Sequence, residues 1–149
     1  LLDINIRNKW QLELIGSGPL LNIIKDSLDE FITYKGPLFG EDLALELSKG
    51  GVGCCVSLHE PWGVVVHEFA AAGLPLLLTY SVGAASTFLI PGYNGYILKN
   101  NNIKDLTSIL IKVINTNDIQ LLQMMNNSNE LSKRISPITS FHNLISILD

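Results

Sequence analysis

The chain has 149 residues, of which 47% are hydrophobic and only 16% are charged, with a net charge of −4 at pH 7. This length suits one compact domain with a sizeable core. The negative charge and the lack of a Lys/Arg stripe argue against nucleic-acid binding. No apolar run reaches the ~18 residues that a membrane-spanning helix needs.

In chain order, the first third is predicted to hold the end of a helix, then a strand, a helix, a strand and a helix, at residues 1–8, 10–15, 20–31, 32–35 and 41–48. Apolar residues alternate along the first strand, and they recur at helical spacing in residues 20–31. Glycine- and proline-containing turns follow both strands.

The rest is predicted to hold a strand, a helix, a strand, a helix and a strand, followed by three helices, at residues 52–58, 63–72, 76–79, 84–89, 96–98, 103–115, 118–133 and 138–148. The nearly continuous apolar run at 52–58 is typical of a strand covered on both faces. Gly73 and Pro75 are the expected end of the helix before them. The Asn-rich residues 126–129 are expected to weaken or break their helix and to form a solvated loop.

Strands that alternate with helices predict an α/β fold, a doubly wound parallel sheet of the Rossmann-like type with helices on both faces. In such sheets the ligand lies beyond the carboxyl ends of the strands. The four loops expected at that edge are residues 16–19, 36–40, 57–63 and 80–85.

The most informative loop precedes the helix predicted at 63–72. Glu60 lies in the loop and Glu68 lies on the helix, roughly 7–8 Å along its axis from Gly63. Between them is a helix amino end, whose free N–H groups and positive dipole end suit a diphosphate. Carboxylates accept hydrogen bonds from paired hydroxyls. This order matches the polyol, diphosphate and ribose of a nucleotide sugar.

The stretch from Glu60 to Glu68 resembles the E-x7-E motif of retaining glycosyltransferases with two Rossmann-like domains, the GT-B fold. Further resemblances follow in order along the chain, at Gly16-Ser17-Gly18-Pro19, Tyr34-Lys35-Gly36, Gly73-Leu74-Pro75, Val82-Gly83 and Asn94-Gly95-Tyr96. The resemblance identifies residues 1–149 as the partial nucleotide-sugar-binding domain, the carboxyl-terminal half of a GT-B enzyme without its first strand.

The resemblance implies a role for each matching residue. Glu60 is the candidate catalytic residue and would contact hydroxyls of the donor sugar, with His59 beside it or merely solvated. Glu68 would bind the ribose, and the backbone amides of Trp62, Gly63 and Val64 would face the diphosphate. The remaining donor-binding candidates, which include the floor and lining of the nucleobase pocket, are Gly16, Gly18, Leu38 and Gly83.

The same resemblance implies a UDP- or GDP-sugar donor and a hexosyl group transferred with retention to a glycan, lipid-linked or other acceptor. An amino-terminal domain absent from this chain would hold the acceptor, and the full-length enzyme could associate peripherally with a membrane. No metal ion or cofactor is expected. Cys54 and Cys55 are adjacent core thiols without metal-ligand spacing, which fits a reducing, cytoplasmic location.

Two departures from the family pattern affect these expectations. Val82-Gly83-Ala84 replaces Val-Gly-Gly, and Thr87 stands where an acidic residue is usual, so the resemblance leaves the sugar or acceptor preference open. No counterpart is found for the Arg and Lys that the family places on the diphosphate. The chain alone is therefore expected to bind donor poorly and to transfer nothing.

Three alternatives remain open at this stage. A nucleotide-sugar epimerase would share the fold and the donor, and its candidate acid/base residues would be His59 and Glu60. A dinucleotide dehydrogenase is disfavoured because Leu21 replaces the third glycine of its Gly-x-Gly-x-x-Gly motif. The third alternative is a non-catalytic binding or assembly domain, in which the two glutamates are ordinary surface carboxylates.

Overall fold

Strands and helices alternate along the chain. The computed structural model describes residues 10–99, 102–136, 138, 139 and 145. The strands are β1 (Leu12–Ile15), β2 (Ile32–Gly36), β3 (Gly53–Cys55), β4 (Leu76–Thr79) and β5 (Gly95–Leu98). The helices are α1 (Leu21–Lys25), α2 (Gly40–Leu47), α3 (Val64–Ala71), α4 (Ala85–Phe88), α5 (Ile103–Ile114) and α6 (Asp118–Ser132).

All strand pairs are parallel, which confirms the predicted α/β class. The strands form two sheets, β1 paired with β2 and a second sheet in the order β3-β4-β5. Within the described residues, β1, β2, β3 and β5 therefore each have one edge without a partner strand.

The central strand β4 forms the core of the three-stranded sheet. Leu76, Leu77 and Leu78 are 0% exposed, because β3 and β5 flank the strand and helices cover it. The main apolar cluster packs α3 and α4 against β4, with Phe88 fully buried in it. Gly53 allows α3 to approach β3 closely, since a Cβ there would lie 2.5 Å from the Phe69 ring.

Helix α3 ends as the sequence predicts. Gly73 has a φ of +75°, and its N–H donates to Ala70 O while the Leu74 N–H donates to Phe69 O. This is the Schellman pattern, in which a left-handed glycine satisfies the last carbonyls of a helix. The short segment that follows leads directly into β4, which places the amino end of α3 at the carboxyl edge of the sheet.

The helix predicted at residues 20–31 is wrong in length, since α1 ends at Lys25. The Asp29 carboxylate accepts the N–H groups of Phe31 and Ile32, both at 2.8 Å. A short acidic side chain that binds nearby backbone amides competes with the helix and favours a turn. This turn leads directly into β2.

The buried strand predicted at residues 52–58 is also wrong in extent. Strand β3 has three residues, and only Gly53 among them is buried. Cys54 is exposed and Cys55 is half-buried, which contradicts their expected place in the core. The apolar run continues instead into the loop before α3, where Leu58 is exposed.

The Asn-rich segment does not break its helix, because α6 is continuous through it. Its polar side chains bind groups on other elements. The Asn127 amide donates to Tyr93 O, the Asn129 amide donates to Ala71 O at the end of α3, and Ser128 contacts Asn94. The residues expected to form a solvated loop therefore fasten α6 to its neighbours. The predicted helix at 1–8 lies outside the described residues, as does most of that predicted at 138–148.

Asn94 is the centre of this attachment and is 0% exposed. Its side chain accepts from Ile90 N–H and donates to Phe88 O and to Ser128 Oγ. We expect Asn94→Ala to lower the free energy of unfolding by about 1–3 kcal/mol, because buried partners lose their hydrogen bonds. Urea denaturation measures the change.

Asn127→Ala is the matched control. It removes one hydrogen bond from a partly exposed side chain, and the higher helix propensity of alanine offsets part of that loss. Equal destabilisation by the two variants would contradict the role given to Asn94.

Candidate functional site

The amino end of α3 is the centre of the candidate site. Gly63 is its N-cap residue, is buried and has a φ of +89°, a conformation that favours glycine. No side chain of the described residues caps this helix end. Its first amides therefore point out at the carboxyl edge of the sheet, where the helix dipole favours an anion.

The two candidate carboxylates flank this helix end. Glu60 is half-buried, and its Oε1 lies 3.4 Å from the backbone nitrogen of Trp62, which donates to it. Glu68 is exposed and lies one turn along α3 from Val64, whose side chain is 66% exposed. Residues four apart share a helix face, so Val64 and Glu68 border the same open surface.

The loop before α3 is joined to the loop between β4 and α4 through the backbone. Glu60 N–H donates to Ser81 O at 3.2 Å, and Gly83 N–H donates to Glu60 O at 2.9 Å. Ala84 N–H donates to Trp62 O at 2.8 Å. The structure therefore brings together two of the four predicted loops and holds Glu60 on both sides.

Gly83 lies where these two loops approach most closely. A Cβ on Gly83 would overlap the Pro61 carbonyl oxygen and would lie 3.3 Å from the Trp62 Cα. Gly83 was predicted to bind donor, and the structure shows a packing reason for glycine at this position.

The aromatic side chains near the site mainly pack. Trp62 is 41% exposed and contacts the Phe88 ring edge-on, with 6.3 Å between centroids. His67 stacks on the other side of the cluster, 4.6 Å from the Phe88 centroid, and its Nε2 lies 3.0 Å from Ser132 O. His59 is exposed in the loop and faces solvent.

The other predicted site residues lie at the carboxyl ends of β1 and β2. Gly16 N–H donates to Gly36 O, and the Tyr34 hydroxyl donates to Gly16 O. Gly18 is in the same loop with open space around it, and Leu38 is half-buried two residues after Gly36. No hydrogen bond among the described residues connects these loops with the loop before α3.

Lys35, near the end of β2, forms ion pairs with two carboxylates. Its Nζ lies 3.2 Å from Glu13 and 3.4 Å from Glu46. The hydrogen bond with Glu13, with the charges of both carboxylates, raises the pKa of Lys35 above its ordinary value. In the described part of the chain, no group of three or more His, Cys, Asp or Glu residues could hold a metal ion.

A separate concave surface lies away from this edge. It has a volume of about 390 Å³ and is lined by Gly92, Tyr96, Lys112, Asn115, Thr116, Gln120 and Met124, near the start of β5. Lys112 lies over the Tyr96 ring, 4.7 Å from its centroid. This groove has neither a carboxylate pair nor a free helix amino end, so we place the candidate site at α3.

A parallel α/β fold with a free helix amino end at the carboxyl edge of its strands is typical of nucleotide-binding proteins. The family model for Glycosyl transferases group 1 matches residues 3–116. The chain therefore belongs to the group 1 glycosyltransferases, which confirms the glycosyltransferase class expected from the sequence.

A relative found by sequence is also a glycosyltransferase and is longer than this chain. The chain is 28% identical over 132 residues to an uncharacterized glycosyltransferase of Methanocaldococcus jannaschii. This match covers 85% of the chain but only 37% of the relative. No helix in the part of the chain that the structure describes is long and apolar enough to cross a membrane.

Solved structures have the same fold. The pneumococcal O-GlcNAc transferase GtfA, in complex with UDP and GlcNAc, matches with a TM-score of 0.74 at 20% identity, over 87% of this chain and 28% of that one. Anabaena HepE, in complex with UDP and glucose, matches with a TM-score of 0.75 at 18% identity, over 97% of this chain and 43% of that one.

Gly83→Ala tests the close approach of the two loops. We expect it to destabilise the protein by about 1–3 kcal/mol, the usual cost of an added group in a filled space. Gly18→Ala is the stability control, since a Cβ there meets nothing within 4 Å. Thermal or urea denaturation of both variants measures the difference in stability. A Gly83→Ala protein as stable as wild type would contradict the packing described.

Proposed function

We propose that this chain forms the donor-binding half of a retaining glycosyltransferase, which takes a hexosyl group from a UDP- or GDP-sugar. The acceptor is a glycan, a lipid-linked sugar or another hydroxyl compound, bound by a further domain. The observation that carries the proposal is the uncapped amino end of α3 between Glu60 and Glu68. Membership of the group 1 glycosyltransferases supports it, as does the UDP in two proteins of the same fold.

The diphosphate is assigned to the amides at the start of α3. Gly63 presents its backbone without a side chain in the way, and the exposed Val64 follows it. The helix end contributes perhaps ~0.3–2 kcal/mol to an anion. The nearby carboxylates repel a diphosphate, so cations are needed to complete the site.

The two carboxylates take different parts of the donor. Glu68, on the exposed face beyond Val64, accepts hydrogen bonds from the ribose hydroxyls. Glu60, on the loop side of the helix end, accepts them from the hexose. The Glu60 carboxylate accepts the Trp62 N–H at 3.4 Å, so Glu60 and a diphosphate compete for this amide.

The rest of the full-length protein completes these roles. The chain spans 37% of the length of its relative, and we assign the acceptor, the remaining cations and any peripheral membrane contact to the rest. The free thiols Cys54 and Cys55 support a cytoplasmic location. Binding and transfer experiments therefore use the full-length protein.

Glu68→Ala tests the ribose contact. We expect it to weaken nucleoside-diphosphate binding by about 1.5–3 kcal/mol, or roughly ten- to a hundredfold, because charge-assisted hydrogen bonds are lost. Isothermal titration calorimetry with UDP and GDP measures the affinity. Glu130→Ala is the control, an exposed glutamate on α6 that pairs with Lys133. Equal affinities for wild type and Glu68→Ala would remove the ribose role.

Glu60→Gln tests the sugar contact. We expect it to depress hexosyl transfer more than it depresses binding of the free nucleoside diphosphate, because the nucleotide alone does not reach Glu60. Release of nucleoside diphosphate with and without acceptor is the assay, and it also separates transfer from epimerisation. Equal losses of transfer and of nucleotide affinity would contradict this assignment.

A further inference from the structure

The loop that carries Glu60 is fixed by two hydroxyl groups from a segment more than twenty residues away. The Ser57 carbonyl oxygen accepts hydrogen bonds from both Thr79 Oγ1 and Ser81 Oγ, the latter at 2.8 Å. The two hydroxyls also contact each other at 3.3 Å. Thr79 is the last residue of β4 and is 1% exposed, so water does not reach this point easily.

These hydroxyls lie where the backbone ladder is interrupted. The regular pairing of β3 with β4 ends at Cys55 opposite Leu78, and pairing resumes with a bridge between Glu60 and Val82. Five positions lead from Cys55 to Glu60, but only four lead from Leu78 to Val82. The chain between Cys55 and Glu60 therefore has one residue more than the chain between Leu78 and Val82, and this extra residue makes a bulge in the loop. Ser57 lies within this bulge.

We propose that Thr79, assisted by Ser81, is a positioning residue for Glu60. It acts through the Ser57 carbonyl and does not touch the donor. Without the hydroxyls, the backbone hydrogen bonds of Glu60 with Ser81 and Gly83 remain, but Ser57 loses its hold on the end of β4, and the position of the Glu60 carboxylate relative to the α3 amino end is less exactly fixed. This inference rests on the proposed function, since it requires Glu60 to act on the donor sugar.

The position of Glu60 affects the rate of sugar transfer. A misplacement of about 1 Å in a group that contacts the reacting substrate can cost roughly a hundredfold in rate. Glu68 lies on α3 itself and not on the bulge. A disturbance at Thr79 is therefore expected to reach the sugar end of the donor and to leave the nucleotide end unchanged.

The experiment compares Thr79→Val, which removes the hydroxyl and keeps the shape, with Thr79→Ser, which keeps the hydroxyl. In the full-length enzyme we expect Thr79→Val to lower kcat about ten- to a hundredfold. Nucleoside-diphosphate affinity stays within about twofold of wild type, because a twofold change is well below the factor of ten that 1.4 kcal/mol represents. Thr79→Ser restores most of kcat. A Thr79→Val enzyme with unchanged kcat, or with kcat and affinity reduced equally, would overturn the proposal.

A double variant separates positioning from general destabilisation. If Thr79 acts through Glu60, adding Thr79→Val to Glu60→Gln lowers kcat little further, because two residues of one unit are not additive. A full additional loss would show that Thr79 acts elsewhere and would overturn the proposal. If Thr79→Val does not fold, Ser81→Ala is the second test, because Ser81 is only half-buried. Its kcat is also expected to fall while its nucleoside-diphosphate affinity is unchanged.

The Glu60→Gln enzyme also distinguishes failure of the proposed role of Glu60 from failure of the positioning role of Thr79. If Glu60→Gln transfers as well as wild type, the proposed role of Glu60 in the donor site fails. If Glu60→Gln is impaired and Thr79→Val is fully active, only the positioning role fails.

Discussion

The close contact between the loop before α3 and the loop after β4 determines the geometry of the whole site. Backbone hydrogen bonds join Glu60 and Trp62 to Ser81, Gly83 and Ala84. The contact needs a glycine, because a side chain at Gly83 would overlap the Pro61 carbonyl. With the loops joined, the amino end of α3 and the Glu60 carboxylate are held in one place relative to the sheet.

The core of the fold supports this contact. Strand β4 is fully buried, and Phe88 packs α4 against α3 in the apolar cluster next to the two loops. Helix α6 secures the far end of α3 through the Asn129 amide and secures the loop before β5 through Ser128 and Asn94. A rigid base of this kind is what a binding site on loops requires, because loops alone do not fix side chains accurately.

The sequence predicted the order of elements well, since β4 and its neighbouring helices follow clear hydrophobic periods and glycine stops. It failed where short polar side chains decide local structure. Asp29 holds a turn where the apolar spacing predicts more helix, and the Asn-rich segment stays helical because its amides find partners on other elements. Glu60 and Glu68 are predicted from their spacing around a helix start. Thr79 and Ser81 are not, because a hydroxyl at a strand end gives no pattern until its distant partner, Ser57, is known.

We propose that the amino end of α3 holds the donor diphosphate between Glu60 and Glu68. A crystal structure of the full-length protein with a bound UDP- or GDP-sugar tests this most directly. We expect phosphate oxygens within hydrogen-bonding distance of the Gly63 and Val64 amides, the ribose at Glu68 and the hexose at Glu60. A donor bound in the groove lined by Tyr96 and Lys112, with the α3 end still free, would contradict it.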